Sequence, residues 1–277
     1  ACLARKILWQ SNVSWSVRER ICGLIAHHQL PFFAVELDSK EAERRMIKAS
    51  MVCRLEHLAL VAEADARGRT CADQARLVDN CALFAEMARE LGCPSAPYAF
   101  VDDVTRLAFF RDERRTRFDT AHVASGARVD APAARGCDVV ILSGLPATGK
   151  DTWCRAQAGG REVVSLDALR HDLEVEHGGP QAAVIDAARM RAREILRGGR
   201  GFVWNATSLK RSLRQPIVDL AIDYGARVLI VALEAAPALI EERNRARRDP
   251  VPAAAITRML RRWEFPDVTE AHDVQAQ

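Results

Sequence analysis

Gly144-Leu145-Pro146-Ala147-Thr148-Gly149-Lys150-Asp151-Thr152 has the spacing G-x-x-x-x-G-K, a pattern suited to gripping a chain of phosphates. Glycines let the backbone curl until several N–H groups face one anion, and the helix that follows adds its positive N-terminal end. Lys150 is placed to reach β- and γ-phosphates. Asp151 stands where such loops carry Ser or Thr, whose hydroxyl binds Mg²⁺; a carboxylate can take that cation directly or through water. Thr152 keeps a hydroxyl for a phosphate. Of the 40 basic residues only five are lysines, Lys6, Lys40, Lys48, Lys150 and Lys210. A compact ammonium kept inside the loop of an arginine-rich chain agrees with a phosphate role. The competing reading is a Gly-rich turn with a solvated lysine.

Three further groups could act beside such a loop. In S-L-D-A-L-R, Asp167 and Arg170 follow the short apolar run Glu162-Val-Val-Ser165. A carboxylate there can serve as general base for an acceptor hydroxyl. Arg170, one turn on, can hold an acceptor phosphate or carboxylate bidentately. Asp167 fits a helix N-cap equally well. In Glu241–Arg248 the pair Arg243 and Arg247 are four apart, which predicts one shared helix face. Guanidinium groups brought over a transferred phosphoryl would neutralise its charge; a solvated helix with local Glu–Arg pairs is the alternative. Asn205, in W-N-A-T, follows a third apolar run at a place where P-loop proteins often have a metal-associated carboxylate. An amide there predicts an ordering hydrogen bond instead of metal ligation.

The elements that must position these groups are legible from periodicity. From Asp138 onward, short runs at Val139–Leu142, Glu162–Ser165, Phe202–Trp204 and Val228–Leu233 alternate with helical stretches such as Val184–Leu196, closed by Gly198-Gly199. That grammar predicts a parallel sheet with helices on both faces, with ligands beyond the carboxyl ends of the strands. Residues 1–98 read as helical. Ser16-Val-Arg-Glu19 has the form of a capping box. Periodic sets follow at Val52, Leu55, Leu58, Ala59 and Ala62, and at Val78, Cys81, Phe84, Ala88 and Leu91, stopped by Gly92 and Pro94. Residues 99–137 read as a connector that packs on something. It contains a charge-dense run, Arg111–Arg117, and apolar pieces such as Leu107–Phe110 with room for a short strand or two.

Bulk composition sets limits on the rest. The 277 residues allow two domains. A hydrophobic content of 49% and a charged content of 28% are those of a soluble globular protein. No apolar run approaches the roughly 18 residues of a membrane span, and no signal peptide opens the sequence. The eight cysteines form no C-x-x-C pair, which predicts free thiols in a reducing, cytoplasmic setting. A net charge of +3 is too small to argue for nucleic acid by itself. The chain opens on Ala1 inside an amphipathic pattern (Leu3, Ile7, Leu8), which predicts an upstream part beyond it.

Taken together, G-L-P-A-T-G-K-D-T, S-L-D-A-L-R, W-N-A-T and R-N-R-A-R followed by V-P resemble the polynucleotide 5′-hydroxyl kinase family. The resemblance covers residues 138–277, with the four motifs in the family's order. The R-N-x-x-R pattern, its downstream V-P and a helix containing Met259 are similar to the lid of the phage end-healing kinase. The resemblance implies an α/β P-loop kinase domain with a helical lid. ATP, GTP or another nucleoside triphosphate would be the donor, with Mg²⁺ or Mn²⁺, and a 5′-hydroxyl end of RNA or DNA the acceptor. Lys150 would stabilise the phosphates, Asp167 would be the general base, Arg170 would touch a phosphate of the acceptor strand, and Arg243 and Arg247 would be the lid arginines.

The helical part has its own resemblance. Arg18–Pro31, Ala62–Arg69 and Cys71-Ala-Asp73 look like the later part of an HD phosphohydrolase domain. They are close to the domain fused upstream of a kinase in the bacterial HD-Pnk RNA end-healing enzymes. That family's HD part is a metal-dependent phosphoesterase on 2′-phosphate and 2′,3′-cyclic phosphate ends. His28 and Asp65 match positions where it places site residues. The His-Asp pair itself is missing from the helical part, and His171-Asp172 lies in the other half. The expectation is therefore an all-α, partial HD-type domain whose phosphoesterase activity is lost or incomplete. Two rivals stand beside the kinase reading: a kinase of the same fold acting on a sugar, an antibiotic or an adenylyl sulfate, and a regulatory module that binds nucleotide and transfers nothing.

Overall fold

A computed structural model describes residues 1–112, 136–176 and 179–277. The chain divides into two compact units, Ala1–Val129 and Asp130–Gln277.

Among its described residues, every regular element of the first unit is helical. It runs through α1 (Cys2–Gln10), α2 (Trp15–His27), α3 (Leu30–Phe33, continuing into a 3₁₀ turn), α4 (Ser39–Ser50), α5 (Leu55–Gly68), α6 (Gln74–Glu90) and α7 (Asp103–Asp112). The expected periodic faces are the buried ones: Leu55, Leu58, Ala59 and Ala62 on α5, and Cys81, Phe84 and Ala88 on α6. Two local expectations are corrected. Ser16 lies inside α2, whose N-cap is Ser14. Glu19 is held by Arg5 at 2.7 Å and Arg18 at 2.8 Å, so an ion-pair cluster takes the carboxylate that a capping box would have used. Leu107–Phe110 is helical, not extended. Phe109 and Phe110 pack with Ile47, Met51, Tyr98 and Phe100, and this aromatic burial outweighs the weak local preference of a short apolar run. Within the stretch read as a connector, Asp103–Asp112 thus forms α7. The charge-dense run continues from Arg111 into residues that lie outside those described.

The second unit contains β1 (Asp138–Ser143), α8 (Lys150–Gln157), β2 (Glu162–Ser165), α9 (Leu166–Asp172), α10 (Ala182–Arg197), β3 (Phe202–Asn205), α11 (Arg211–Asp223), β4 (Arg227–Ala232), α12 (Pro237–Arg245), α13 (Ala253–Leu260) and β5 (Asp273–Ala276). The strands form a five-stranded sheet in the order β2-β3-β1-β4-β5, and every pairing is parallel. Alternate residues of β1 serve opposite faces. Val139 and Ile141 pack with Ala188, Ile195, Ile217 and Val218 from α10 and α11. Val140 and Leu142 pack with Trp153 and Cys154 from α8. Burial on both faces explains why the inner strands read as continuous apolar runs. β5 has no such run. It is an outer strand with a polar alternation, held through β4 and by Glu234 N–H donating to Gln277 O at 2.8 Å. Among the described residues no helix is long and apolar enough to cross a membrane.

Arg214 and Glu270 form an ion pair with side chains 0% and 2% exposed. Two parallel bonds of 2.7 Å join them, and Arg214 Nη1 also donates to the carbonyls of Ser208 and Glu264. Arg211 adds bonds to the Glu264 and Thr269 side chains. These contacts fasten the segment after α13 to the start of α11. Removing one partner strands a buried charge, so Glu270→Ala is expected to lower unfolding free energy by about 3–5 kcal/mol. Urea unfolding measures it. The double variant Arg214→Met/Glu270→Leu is expected to regain only part of the loss, because the Ser208 and Glu264 carbonyls stay without their donor.

Candidate functional site

Where β1 gives way to α8, the backbone turns through residues 144–149. A Cβ on Gly144 would lie 2.5 Å from Leu233 O and 2.7 Å from Thr148 Oγ1, so no side chain fits there. Gly149, at φ +103°, is the residue from which α8 starts, a conformation glycine adopts without steric cost. Gly144 N–H donates to Thr207 O at 3.0 Å, and Thr148 Oγ1 donates to Leu145 O at 2.9 Å. Lys150 does not point into bulk water. Its Nζ donates to Gly144 O at 3.0 Å and to Leu145 O at 2.8 Å. Burial pulls its pKa down to about 8, a shift opposed by the carboxylates of Asp151 and Asp167 and reinforced by the Arg247 guanidinium. Lys150, Asp151, Asp167 and Arg247 therefore share one electrostatic neighbourhood.

Strand order decides which side chains reach this loop. β3 lies directly beside β1, so its last residue, buried Asn205, meets the first turn of α8. Asn205 Nδ2 donates to Asp151 Oδ1 at 2.7 Å, the ordering bond expected of an amide at this place. Asp151 is otherwise exposed. The Thr152 hydroxyl accepts from Arg155 Nη2 at 3.1 Å.

One strand farther out, Ser165 pairs in register with Asn205. Ser165, and not Asp167, is the N-cap of α9, its Oγ accepting from Ala168 N–H at 3.3 Å. Asp167 is thereby released from the capping role. Its side chain is 72% exposed and paired with Arg170, itself only 15% exposed. Arg170 Nε donates to Gln181 Oε1 at 2.9 Å. Arg170 thus orients the candidate base, while Gln181, whose part in this has no sequence signal, holds Arg170.

The arginine-rich segment departs from expectation in one respect. α12 ends at Arg245, so Arg243 sits in its last turn while Arg247 lies just beyond it and does not share its face. Asn244 Oδ1 accepts from Val251 N–H at 3.0 Å, and such side-chain capture of backbone competes with continued helix. Pro250 also disfavours helical backbone at Asp249. Arg243 Nη1 nevertheless comes within 3.9 Å of the point where a Cβ on Gly149 would stand, over the phosphate loop. Arg245 takes the local pairing, at 3.1 Å to Glu241.

In the helical unit His28 Nδ1 meets Ile25 O at 2.9 Å, and Asp65 pairs with Arg69 four residues on. Among the described residues no group of three or more His, Cys, Asp or Glu side chains is placed to hold a metal ion. His28 and Asp65, which the resemblance marks as metal positions, are each engaged in a local contact. His171 is 92% exposed and belongs to the other unit.

A family model described as an AAA domain matches residues 139–266, a stretch that contains the loop, Asp167, Arg170, Asn205, Arg243 and Arg247. A solved structure described as a candidate kinase from Chloroflexus aurantiacus is 19% identical. The match covers 51% of this chain and 84% of that one, with a TM-score of 0.43. No curated protein matches the chain.

An anion against Lys150 raises its pKa, so nucleotide binding is accompanied by proton uptake wherever the free ammonium has begun to titrate. Affinity for a nucleoside triphosphate is expected to be flat below about pH 8 and to fall above it, approaching tenfold per pH unit. Calorimetric titrations at pH 7 and 9 read this out, and Lys150→Met is expected to remove the slope along with most of the affinity.

Proposed function

We propose that the second unit is a nucleoside-triphosphate-dependent polynucleotide 5′-hydroxyl kinase. The observation that carries this is the gathering, beyond the carboxyl ends of the strands, of the Lys150 ammonium in a glycine loop, the Asp151 carboxylate held by Asn205 and the Asp167 carboxylate paired with Arg170, with Arg243 reaching Gly149 from α12. The choice of a nucleic-acid end as acceptor rests on the four motifs and their order.

The triphosphate of ATP, GTP or a similar donor would lie along residues 144–152, held by backbone N–H groups, by Lys150 and by the start of α8. Its phosphates would replace the loop carbonyls as partners of the Lys150 ammonium. A divalent cation such as Mg²⁺ takes hard oxygen ligands, and the exposed Asp151 carboxylate, fixed by Asn205, would be the group to hold it. When bound, that ion would neutralise charge on the β- and γ-oxygens. Asp167 would accept the proton of the attacking 5′-hydroxyl as the P–O bond to the γ-phosphorus forms and the bond to the β-phosphate leaving group breaks. Arg170 would aim that carboxylate through their ion pair and, as the four motifs imply, touch a phosphate of the acceptor strand. Arg243 and Arg247 would offset the charge of the transferring phosphoryl group. Phosphoesterase chemistry in the helical unit forms no part of this proposal.

Labelling of a 5′-hydroxyl oligonucleotide from γ-labelled triphosphate tests it, with short sugars and simple alcohols as competitors. Transfer to the oligonucleotide is expected, with Asp167→Asn lowering kcat roughly 100- to 10,000-fold while leaving nucleotide affinity intact. Transfer to small alcohols alone would make this a small-molecule kinase. Nucleotide binding without acceptor-dependent turnover would leave a regulatory module.

A further inference from the structure

Beyond α12 the chain returns toward α13 through an exposed turn, and one residue organises that turn. The Asn244 backbone carbonyl accepts from Arg247 N–H at 3.3 Å. Its side-chain Oδ1 accepts from Val251 N–H at 3.0 Å, and its Nδ2 donates to Val251 O at 2.8 Å. The amide thus pairs with both polar groups of one residue, as a neighbouring strand would, and closes residues 244–251 into a ring carrying Arg247. Both ends of the lid are anchored in the unit: Ile240, Leu260 and Trp263 are buried, and Glu264 N–H donates to Leu209 O at 2.9 Å. Asn244 and Val251 are half-buried, whereas residues 245–250 are exposed. The turn therefore has little packing of its own, and the two-bond clasp is what defines its shape.

We infer that Asn244 is a positioning residue: its clasp on Val251 presents Arg247 to the phosphate loop, so that Asn244 acts on phosphoryl transfer through Arg247. The inference rests on the kinase reading of the same site. Only asparagine offers a donor and an acceptor at this reach, since aspartate would set an oxygen against Val251 O and glutamine would add a methylene. Without the clasp the guanidinium must lose conformational freedom at each turnover, which lowers its contribution where charge develops.

The test has two arms. In hydrogen exchange on the intact chain, Asn244→Ala is expected to speed exchange at the Val251 amide about tenfold or more, without change elsewhere in the unit. In the transfer assay, Asn244→Ala is expected to lower kcat about tenfold with KM for donor and acceptor nearly unchanged. The double variant Asn244→Ala/Arg247→Ala should be no slower than Arg247→Ala alone, the signature of one residue acting through the other. An unchanged kcat in Asn244→Ala, or losses that simply multiply in the double variant, would overturn the inference. Should the wild type transfer no phosphoryl group, the kinase reading fails by itself. The same non-additivity is then sought in affinity for ATP: its presence upholds the positioning role, and its absence refutes it.

Discussion

The bond pair from the Lys150 ammonium to the carbonyls of Gly144 and Leu145 is the contact on which the remaining geometry depends. For two consecutive carbonyls to reach a side chain on the following helix, the loop must curl tightly against Leu233 and Thr148, which excludes any Cβ at position 144. Burying a cation there disfavours its charge, and the opposing carboxylates of Asp151 and Asp167 limit the shift. The site is thus a charged group under desolvation, with carbonyl partners that a triphosphate can displace.

Strand order turns this loop into a graded arrangement. With β3 adjacent to β1, Asn205 can hold Asp151 directly; with β2 one place farther out, Asp167 stands beyond it on α9. A sheet in which β2 adjoined β1 would put Asp167 where Asn205 now holds Asp151. On the other flank, the loop leaving β4 supplies the Leu233 carbonyl that crowds Gly144 and then leads into the lid helix. The glycine loop and the segment leading into α12 therefore share a wall.

The segment from α12 to α13, the lid of the proposed kinase, is built differently from the sheet. Its base is secured by buried polar contacts around Arg214 and Glu270, which are costly to break and specific in direction. Its tip is exposed and held by the side chain of one asparagine. In the proposed kinase, a firm base with a lightly held tip would suit a segment that admits a nucleotide and then places guanidinium groups over it.

Sequence by itself determined the parallel α/β class of the second unit, the helical class of the first, the phosphate loop, and the ordering role of Asn205. Each follows from short contiguous patterns whose physics is local: apolar period, glycine spacing, a residue type at a strand end. Tertiary structure decided what depends on partners distant in the chain. Glu19 went to Arg5 instead of a capping box, Leu107–Phe110 became helical against Ile47 and Tyr98, and polar Asp273–Ala276 became a strand only because β4 offered it an edge. Arg247 left its helix because Asn244 found Val251, and Gln181 came to hold Arg170. Hydrogen bonds and ion pairs go to whichever group the fold brings within reach, and a linear pattern does not carry that distance.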